Sequence, residues 1–404
     1  MKSPVATHRV LYVHRTRGAG VEGVHIDGIC GGLRARGFDV TIIAPVRASG
    51  DAAEASRGGR LQRMLAWLSD HAPEALFECA EIAYNASARR ALDTELARGP
   101  VKLIYERYAI FASAAGRRAR RAGLPLVLEV NYTAKLPLVR KRSRLLKPLA
   151  VAMDRRIFGR TTLLLAVSSS VREHLVRDYG VPREKILLTP NAADPQRFDP
   201  ATAPLQRLGD RDLAGQRIIG FVGSFAPWHG VDLLLRAFIA IAAVLPDAAL
   251  LLVGDGPERG RIAQMAEAAG LADRVHMPGQ VAHADLPRYV ARFDAAVLPD
   301  TNDYGSPMKI FEYLAMGRPV VAPDYAPVLD VLEDGRNGVV FRRQDQESLA
   351  SRLLDVLRDR ESARRLGAAG RETITLRRSW QHNVDAVLHA LNADSTVPAR
   401  VAHA

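Results

Sequence analysis

The stretch Tyr304-Gly305-Ser306-Pro307-Met308-Lys309-Ile310-Phe311-Glu312-Tyr313-Leu314-Ala315-Met316-Gly317-Arg318-Pro319-Val320-Val321-Ala322 reads as a helix and the strand it feeds. Pro307 suits the first helical turn, where its missing N–H would find no acceptor in any case. The Val320-Val321-Ala322 run that follows is a strand candidate. Gly305, Ser306, Pro307, Met308, Lys309 and Ile310 surround the helix start. Free backbone N–H groups and the positive helix end suit a diphosphate there, and Lys309 adds a cation. Glu312 stands among Phe311, Tyr313 and Leu314, which look buried, so its carboxylate needs a partner. A ribose diol fits that need, although Glu312 taken alone also reads as a solvated helix carboxylate.

Outward from this stretch the chain alternates strands and helices. Strand candidates at 10–14, 40–44, 103–105, 126–130, 163–167 and 186–189 form one series, with a helix expected over 21–36 and closed by Gly37. A second series runs through 218–222, 249–253, 274–277, 295–298 and 320–322, followed by helices expected over 346–367 and 371–391. Such alternation implies βαβ units, parallel sheets and an α/β class. Two series imply two doubly wound domains, expected over 1–195 and 217–375. A proline-rich linker over 196–216 joins them, and 376–404 forms a closing helix and tail.

The chain has 404 residues, of which 48% are apolar and 25% charged. That balance excludes extended disorder, collagen and a disulfide scaffold. Its only cysteines, Cys30 and Cys79, suit a reducing compartment and exclude a Cys-based zinc site. Neither a signal-peptide pattern nor a membrane-spanning apolar run is present, so a cytoplasmic protein is expected. The net charge is +12, and residues 117–160 carry +11 of it through 13 Lys/Arg against Glu129 and Asp154. A solvated arginine-rich face and a functional surface are equally good readings of that excess. Basic side chains followed by apolar 149–153 also suit anionic lipid. The segment has only Tyr132 and Phe158 as aromatic residues, which speaks against nucleic acid.

Three further motifs outline a ligand cleft. Gly18, Gly20 and Gly23 form a G-x-G-x-x-G after the first strand, with Glu22 and His25 beside it. The second strand ends Ile42-Ile43-Ala44-Pro45 without the acid a dinucleotide ribose requires, which argues against an NAD-dependent oxidoreductase. Gly223 and Ser224 end a strand and lead to Trp228-His229, where a tight turn with a packed Trp is an equal reading. Gly254-Asp255-Gly256-Pro257 makes a second tight turn at the same sheet edge.

With these elements in this order, the chain resembles a family 4 glycosyltransferase of the GT-B fold. The likeness runs through the first glycine loop, Val167-Ser168, Pro190-Asn191-Ala192-Ala193-Asp194 and Val222-Gly223-Ser224. It continues through Gly254-Asp255-Gly256-Pro257, Gly279-Gln280-Val281, Phe293-Asp294 and Glu312 to Pro319. The resemblance implies two facing Rossmann-like domains with a cleft between them and a last helix, near Trp380, crossing back to the first domain. It implies a nucleotide-sugar co-substrate, UDP- or GDP-linked, held by Gly223, Ser224, Gly254, Gln280, Val281 and Tyr304 to Ile310. Glu312 would sit on the ribose, and Lys309, Glu312 and His229 would be the catalytic set. Gly18, Gly20, Glu22, Gly23, His25, Glu129 and Asn131 are expected on the acceptor side.

Transfer with retention of anomeric configuration, without a metal or other cofactor, is implied, to a lipid-linked, polysaccharide or other glycan acceptor. The only D-x-D, Asp210-Arg211-Asp212, lies in the linker. The family's E-x7-E pattern is broken because Tyr304 stands where its first glutamate belongs. Ser224 and His229 occupy the places of an Arg/Lys pair on the diphosphate. These departures leave a sugar-nucleotide-binding scaffold with weak turnover as the alternative. A peripheral position on the inner face of a membrane, docked through residues 117–160, completes the expectation.

Overall fold

A computed structural model describes residues 8–16, 18, 20–44, 74–137, 145–202, 213 and 215–394. The chain divides into two compact units. The first comprises Met1–Val167, Val171–Thr189 and Val384–Ala404, and the second Ser168–Ser170 and Pro190–Asn383. The change at Thr189–Pro190 precedes the proline-rich 196–216 span, of which 203–212 and 214 lie outside the described residues. The D-x-D at Asp210 to Asp212 is among them.

The first unit holds β1 (Arg9–Val13), β2 (Asp39–Ile43), β3 (Val101–Arg107), β4 (Leu126–Val130), β5 (Leu163–Ala166) and β6 (Ile186–Leu188) in one sheet ordered β2-β1-β3-β4-β5-β6. Every described pairing is parallel. Both faces of such a sheet are covered by helices, so its strands become continuous apolar runs. Leu126–Val130 shows the double cover, with all five residues buried, Glu129 among them. The helix Gly20–Ala35 carries the chain from β1 to β2. The strand order reverses between β1 and β3, so the loops leaving their carboxyl ends part there and open a crevice.

The second unit holds β7 (Arg217–Val222), β8 (Ala248–Val253), β9 (Val275–Gly279), β10 (Ala295–Val297), β11 (Val320–Pro323) and β12 (Val339–Phe341), ordered β12-β11-β10-β7-β8-β9. This sheet is also parallel, and its reversal lies between β7 and β10. Residues alternate between its two faces: Ile219, Phe221, Leu250 and Leu252 join one apolar core, while Ile218, Leu251 and Val253 join the other. β12 was not among the expected strands, since three apolar residues carry no readable period.

The helices after β12 differ from expectation. In place of 346–367 and 371–391, helices run over Gln346–Arg358, Arg360–Arg377 and Trp380–Asp394. The break falls at Asp359, whose carboxylate accepts from Ser362 N at 2.9 Å and caps a new helix. Gly367 is therefore no stop. It lies inside the helix because the backbone of Gly317 approaches so closely that a Cβ would stand 2.1 Å from Gly317 O.

Candidate functional site

In the second unit, the residues singled out from sequence gather at the carboxyl edge of the sheet, beside the β7/β10 reversal. Gly223 follows β7 and Gly254 follows β8, and a Cβ on Gly254 would stand 1.9 Å from Gly223 O. Gly223 N donates to Val253 O at 3.0 Å and Gly254 N to Gly279 O at 2.9 Å. The three glycines form a floor of bare backbone. Val222 N donates to the Tyr313 hydroxyl at 2.7 Å, which fixes the end of β7 to the helix Met308–Ala315.

Lys309 projects from the first turn of that helix toward this floor. Its Nζ is closed off from solvent, has no hydrogen-bond partner among the described residues, and lies 4.4 Å from the centroid of the Phe221 ring. Only glycine at 223 leaves room, since a Cβ there would stand 2.7 Å from Nζ. Burial pushes the ammonium down to about 7, a fall that Glu312 partly opposes. A buried cation with no ion-pair partner among the described residues, at the positive end of a helix, is suited to receive an anion.

His229 lies half-buried on the turn before the helix Val231–Val244. Its Nδ1 lies 2.6 Å from Ser224 O and 3.0 Å from Ser224 Oγ. A carbonyl only accepts, so Nδ1 carries the proton and Nε2 is left as an acceptor. Burial, then the charge of Lys309, brings the imidazole down to about 4. Ser224 and His229 thus meet, as a neutral pair.

The loop before the helix departs from the sequence reading. Gly305 N donates to Asn302 Oδ1 at 2.5 Å and Tyr304 N to the same oxygen at 3.2 Å, so Gly305 is not a free donor. Pro307 is the residue before the helix, not its first turn. Ser306 Oγ accepts from Asn191 N at 3.0 Å, Ser306 O accepts from Asn191 Nδ2 at 2.6 Å, and Tyr304 O accepts from Ser168 Oγ at 2.5 Å. Asn302, Asn191 and Ser168 therefore shape this loop. Asn191 and Ser168 stood in quoted motifs without a role, and Asn302 had no signal. Met308 and Ile310 point into the core, while Gln280 is exposed and Val281 packs at the core margin.

Glu312 is buried at 7% exposure, and its Oε1 accepts from His283 Nε2 at 2.7 Å. His283 opens the short turn His283–Asp285 beyond β9 and was not a candidate.

In the first unit, the expected acceptor-side residues sit at the carboxyl edge beside the β1/β3 reversal. Gly18 and Gly20 take positive φ of 67° and 62°. Gly23 lets the loop cross the helix start, since a Cβ would stand 2.3 Å from Gly18 O. Glu22 is exposed, whereas His25 and Glu129 are buried. Glu129 Oε2 accepts from His25 Nε2 at 2.7 Å and the Tyr105 hydroxyl at 2.9 Å. Its Oε1 accepts from Arg107 Nη1 and Asn131 Nδ2, both at 2.8 Å. Burial alone would raise this carboxyl, but His25 and Arg107 hold it well below the usual range. Tyr105 and Arg107 were not anticipated: Arg107 faces Glu129 across the β3–β4 register.

The helices Ala114–Ala122 and Lys147–Arg160 carry the described part of the basic excess apart from Lys135. Arg160 is lowered by loss of water and then by Arg156, Arg120 and Arg117, so these cations share one neighbourhood. Leu145 and Leu149 are 85% and 43% exposed. Residues 138–144, which include Arg140 to Arg144, lie outside the described residues. No described helix is long and apolar enough to cross a membrane.

Two family profiles match without overlap: "Glycosyltransferase Family 4" over residues 20–197 and "Glycosyl transferases group 1" over 211–373. A GDP-mannose-dependent alpha-(1-6)-phosphatidylinositol monomannoside mannosyltransferase of Mycobacterium tuberculosis is 29% identical over 271 residues, 65% of this chain and 68% of that protein. A D-inositol 3-phosphate glycosyltransferase of Stackebrandtia nassauensis is 28% identical over 306 residues, 72% of this chain and 68% of that protein. The crystal structure of a glycosyltransferase from Rickettsia africae superimposes with a TM-score of 0.71 at 16% identity, covering 97% of this chain and 100% of that one. Anabaena HepE in complex with UDP gives 0.67 at 16% identity, covering 95% and 100%. Sequence motifs, sheet order and both profile matches agree: the chain belongs to glycosyltransferase family 4 and is a glycosyltransferase of the GT-B fold.

Proposed function

We propose that the second unit binds a nucleotide-sugar and that the enzyme moves its sugar to a hydroxyl of a glycan or lipid-linked acceptor, with retention. The observation that carries this reading is the buried Lys309 Nζ, without a hydrogen-bond or ion-pair partner among the described residues, at the start of the helix Met308–Ala315. The diphosphate supplies the missing negative charge, and these preorganised donors stabilise it as it leaves. Neutral His229 contributes hydrogen bonding, so Lys309 and the helix start carry most of the charge. Glu312 takes the ribose hydroxyls, and the backbone near Gln280 and Val281 faces the base. In front-face attack the leaving phosphate accepts the acceptor's proton, so no protein base is required and no metal is used.

Acceptor recognition is assigned to the crevice of the first unit around His25, Glu129 and Asn131. The basic neighbourhood of Arg117, Arg120, Arg156 and Arg160, with exposed Leu145 and Leu149, supports docking on an anionic membrane.

A thermal-shift panel of UDP, GDP, GDP-mannose and several UDP-sugars tests the donor reading. A ligand at about 100 times its Kd stabilises by about 2.7 kcal/mol, enough to register. The absence of a shift with every nucleotide sinks the assignment.

A further inference from the structure

We infer that His283 is a positioning residue for nucleotide recognition, holding one oxygen of Glu312 so that the other meets the ribose hydroxyls. The inference rests on the proposed role of Glu312 and extends it to a residue outside that reading. His283 Nε2 lies 2.7 Å from Glu312 Oε1, and no donor among the described residues is bonded to Oε2. A carboxylate only accepts, so Nε2 carries the proton and one oxygen is committed to the imidazole.

The imidazole is itself held. Phe198 meets its ring edge to face, with centroids 5.5 Å apart. Arg371 in turn donates to Phe198 O at 3.1 Å and pairs with Asp199 at 3.0 Å. One detail speaks against simple packing. His283 Nδ1 is buried and has no partner among the described residues. An orphaned buried nitrogen costs stability that an apolar side chain of similar size would not, so its presence requires another reason. Orientation of Glu312 supplies that reason. His283 also stands just beyond β9 and Gly279-Gln280-Val281, which ties the ribose carboxylate to the segment assigned to the base.

The test is calorimetric titration of the full chain with UDP and GDP and with their 2′,3′-dideoxy counterparts. Wild type, Glu312→Ala, His283→Ala and His283→Gln are compared, each checked by its thermal melt. Hydrogen bonds to a charged group imply a wild-type preference for the ribose form of roughly 10- to 100-fold. Glu312→Ala should abolish that preference. His283→Ala should cut it by roughly three- to tenfold while leaving dideoxy affinity unchanged, as fits loss of one orienting bond. His283→Gln should restore it, because its amide N–H can still donate to Oε1.

Equal weakening of ribose and dideoxy ligands by His283→Ala, or no weakening at all, overturns the inference and leaves the role of Glu312 standing. A ribose preference that survives Glu312→Ala overturns the ribose reading, and the inference with it.

Discussion

Lys309 places its ammonium 4.4 Å from the centroid of the Phe221 ring, and Glu312, one turn along the same helix, gives its Oε1 to His283 instead. The cation is therefore left to the aromatic face and to whatever anion arrives.

This arrangement predicts a pH signature. Lys309 falls from 10.5 to about 7 in the folded protein, so between those values the unfolded chain binds the extra proton. The ligand-free protein should gain stability as pH rises through that window, and below it the full cost of the buried charge is present. Thermal melts across the window should show Lys309→Met more stable than wild type near its lower end, with the gap closing toward its upper end. Nucleoside diphosphate binding near pH 8 should take up close to one proton, since the phosphate restores the charge. Titration in buffers of different ionisation enthalpy reads this, and no uptake in wild type contradicts it.

Lys309→Ala should lower kcat/KM for the donor about 100-fold or more, the scale for losing a preorganised donor at a developing charge. His229, brought down to about 4, acts as a neutral hydrogen-bonding group. His229→Gln should therefore cost less than about tenfold, the loss of one neutral hydrogen bond. A larger loss from His229→Gln than from Lys309→Ala would reverse these roles.

Glu129 should govern acid stability in the first unit. In the fold this carboxyl titrates well below the ordinary carboxylate range, so its contribution is complete above that range and is lost as pH falls below it. Glu129→Gln leaves Arg107 and His25 facing a neutral amide, and should cost about 3–5 kcal/mol at neutral pH. Denaturant melts should show that gap narrowing below about pH 4, as the carboxylate of the unfolded chain takes up a proton while the folded one stays ionised. A gap that does not change with pH would show that packing, and not charge, is the cause.

Gly254→Ala forces a methyl against Gly223 O and should destabilise by about 1–3 kcal/mol while weakening nucleotide binding. Gly31 meets nothing within 4 Å inside its helix, so Gly31→Ala should instead gain about 0.5–1 kcal/mol. Paired denaturant curves check both signs.

The membrane proposal predicts sedimentation with anionic vesicles that falls with salt and is absent with neutral vesicles. Each basic side chain near such a surface contributes on the order of 1 kcal/mol. Replacing Arg117, Arg120, Arg156 and Arg160 together with Ala should weaken binding at least about tenfold. Equal binding to neutral vesicles rejects the proposal.

Much of the architecture was legible because it rests on local pattern. The continuous apolar run of β8 reads as a doubly covered strand. The glycine-lined carboxyl edge of the second sheet was legible for the same reason, since its glycines follow strands directly. What escaped were relations fixed by register and packing. Arg107 meets Glu129 because β3 and β4 lie side by side, which neither strand announces alone. Asn302 removes Gly305 from the free donors by a side-chain turn of its own loop. His283 reaches Glu312 across 29 residues of sequence. The break at Asp359 was missed because an Asp-x-x-Ser cap overrides an unbroken helical period.

The helix Trp380–Asp394 belongs to the second unit up to Asn383 and to the first from Val384. Val384 and Val387 are buried, and Asp385 binds Arg36 through both carboxylate oxygens. The first unit is thus finished by residues that follow the second unit in the chain. Residues 1–189 expressed alone would lack that closing turn. All six strands of the first sheet can form before the second unit is made, but its packing against Val384 and Val387 cannot, so loss of the C-terminal segment would injure the N-terminal half.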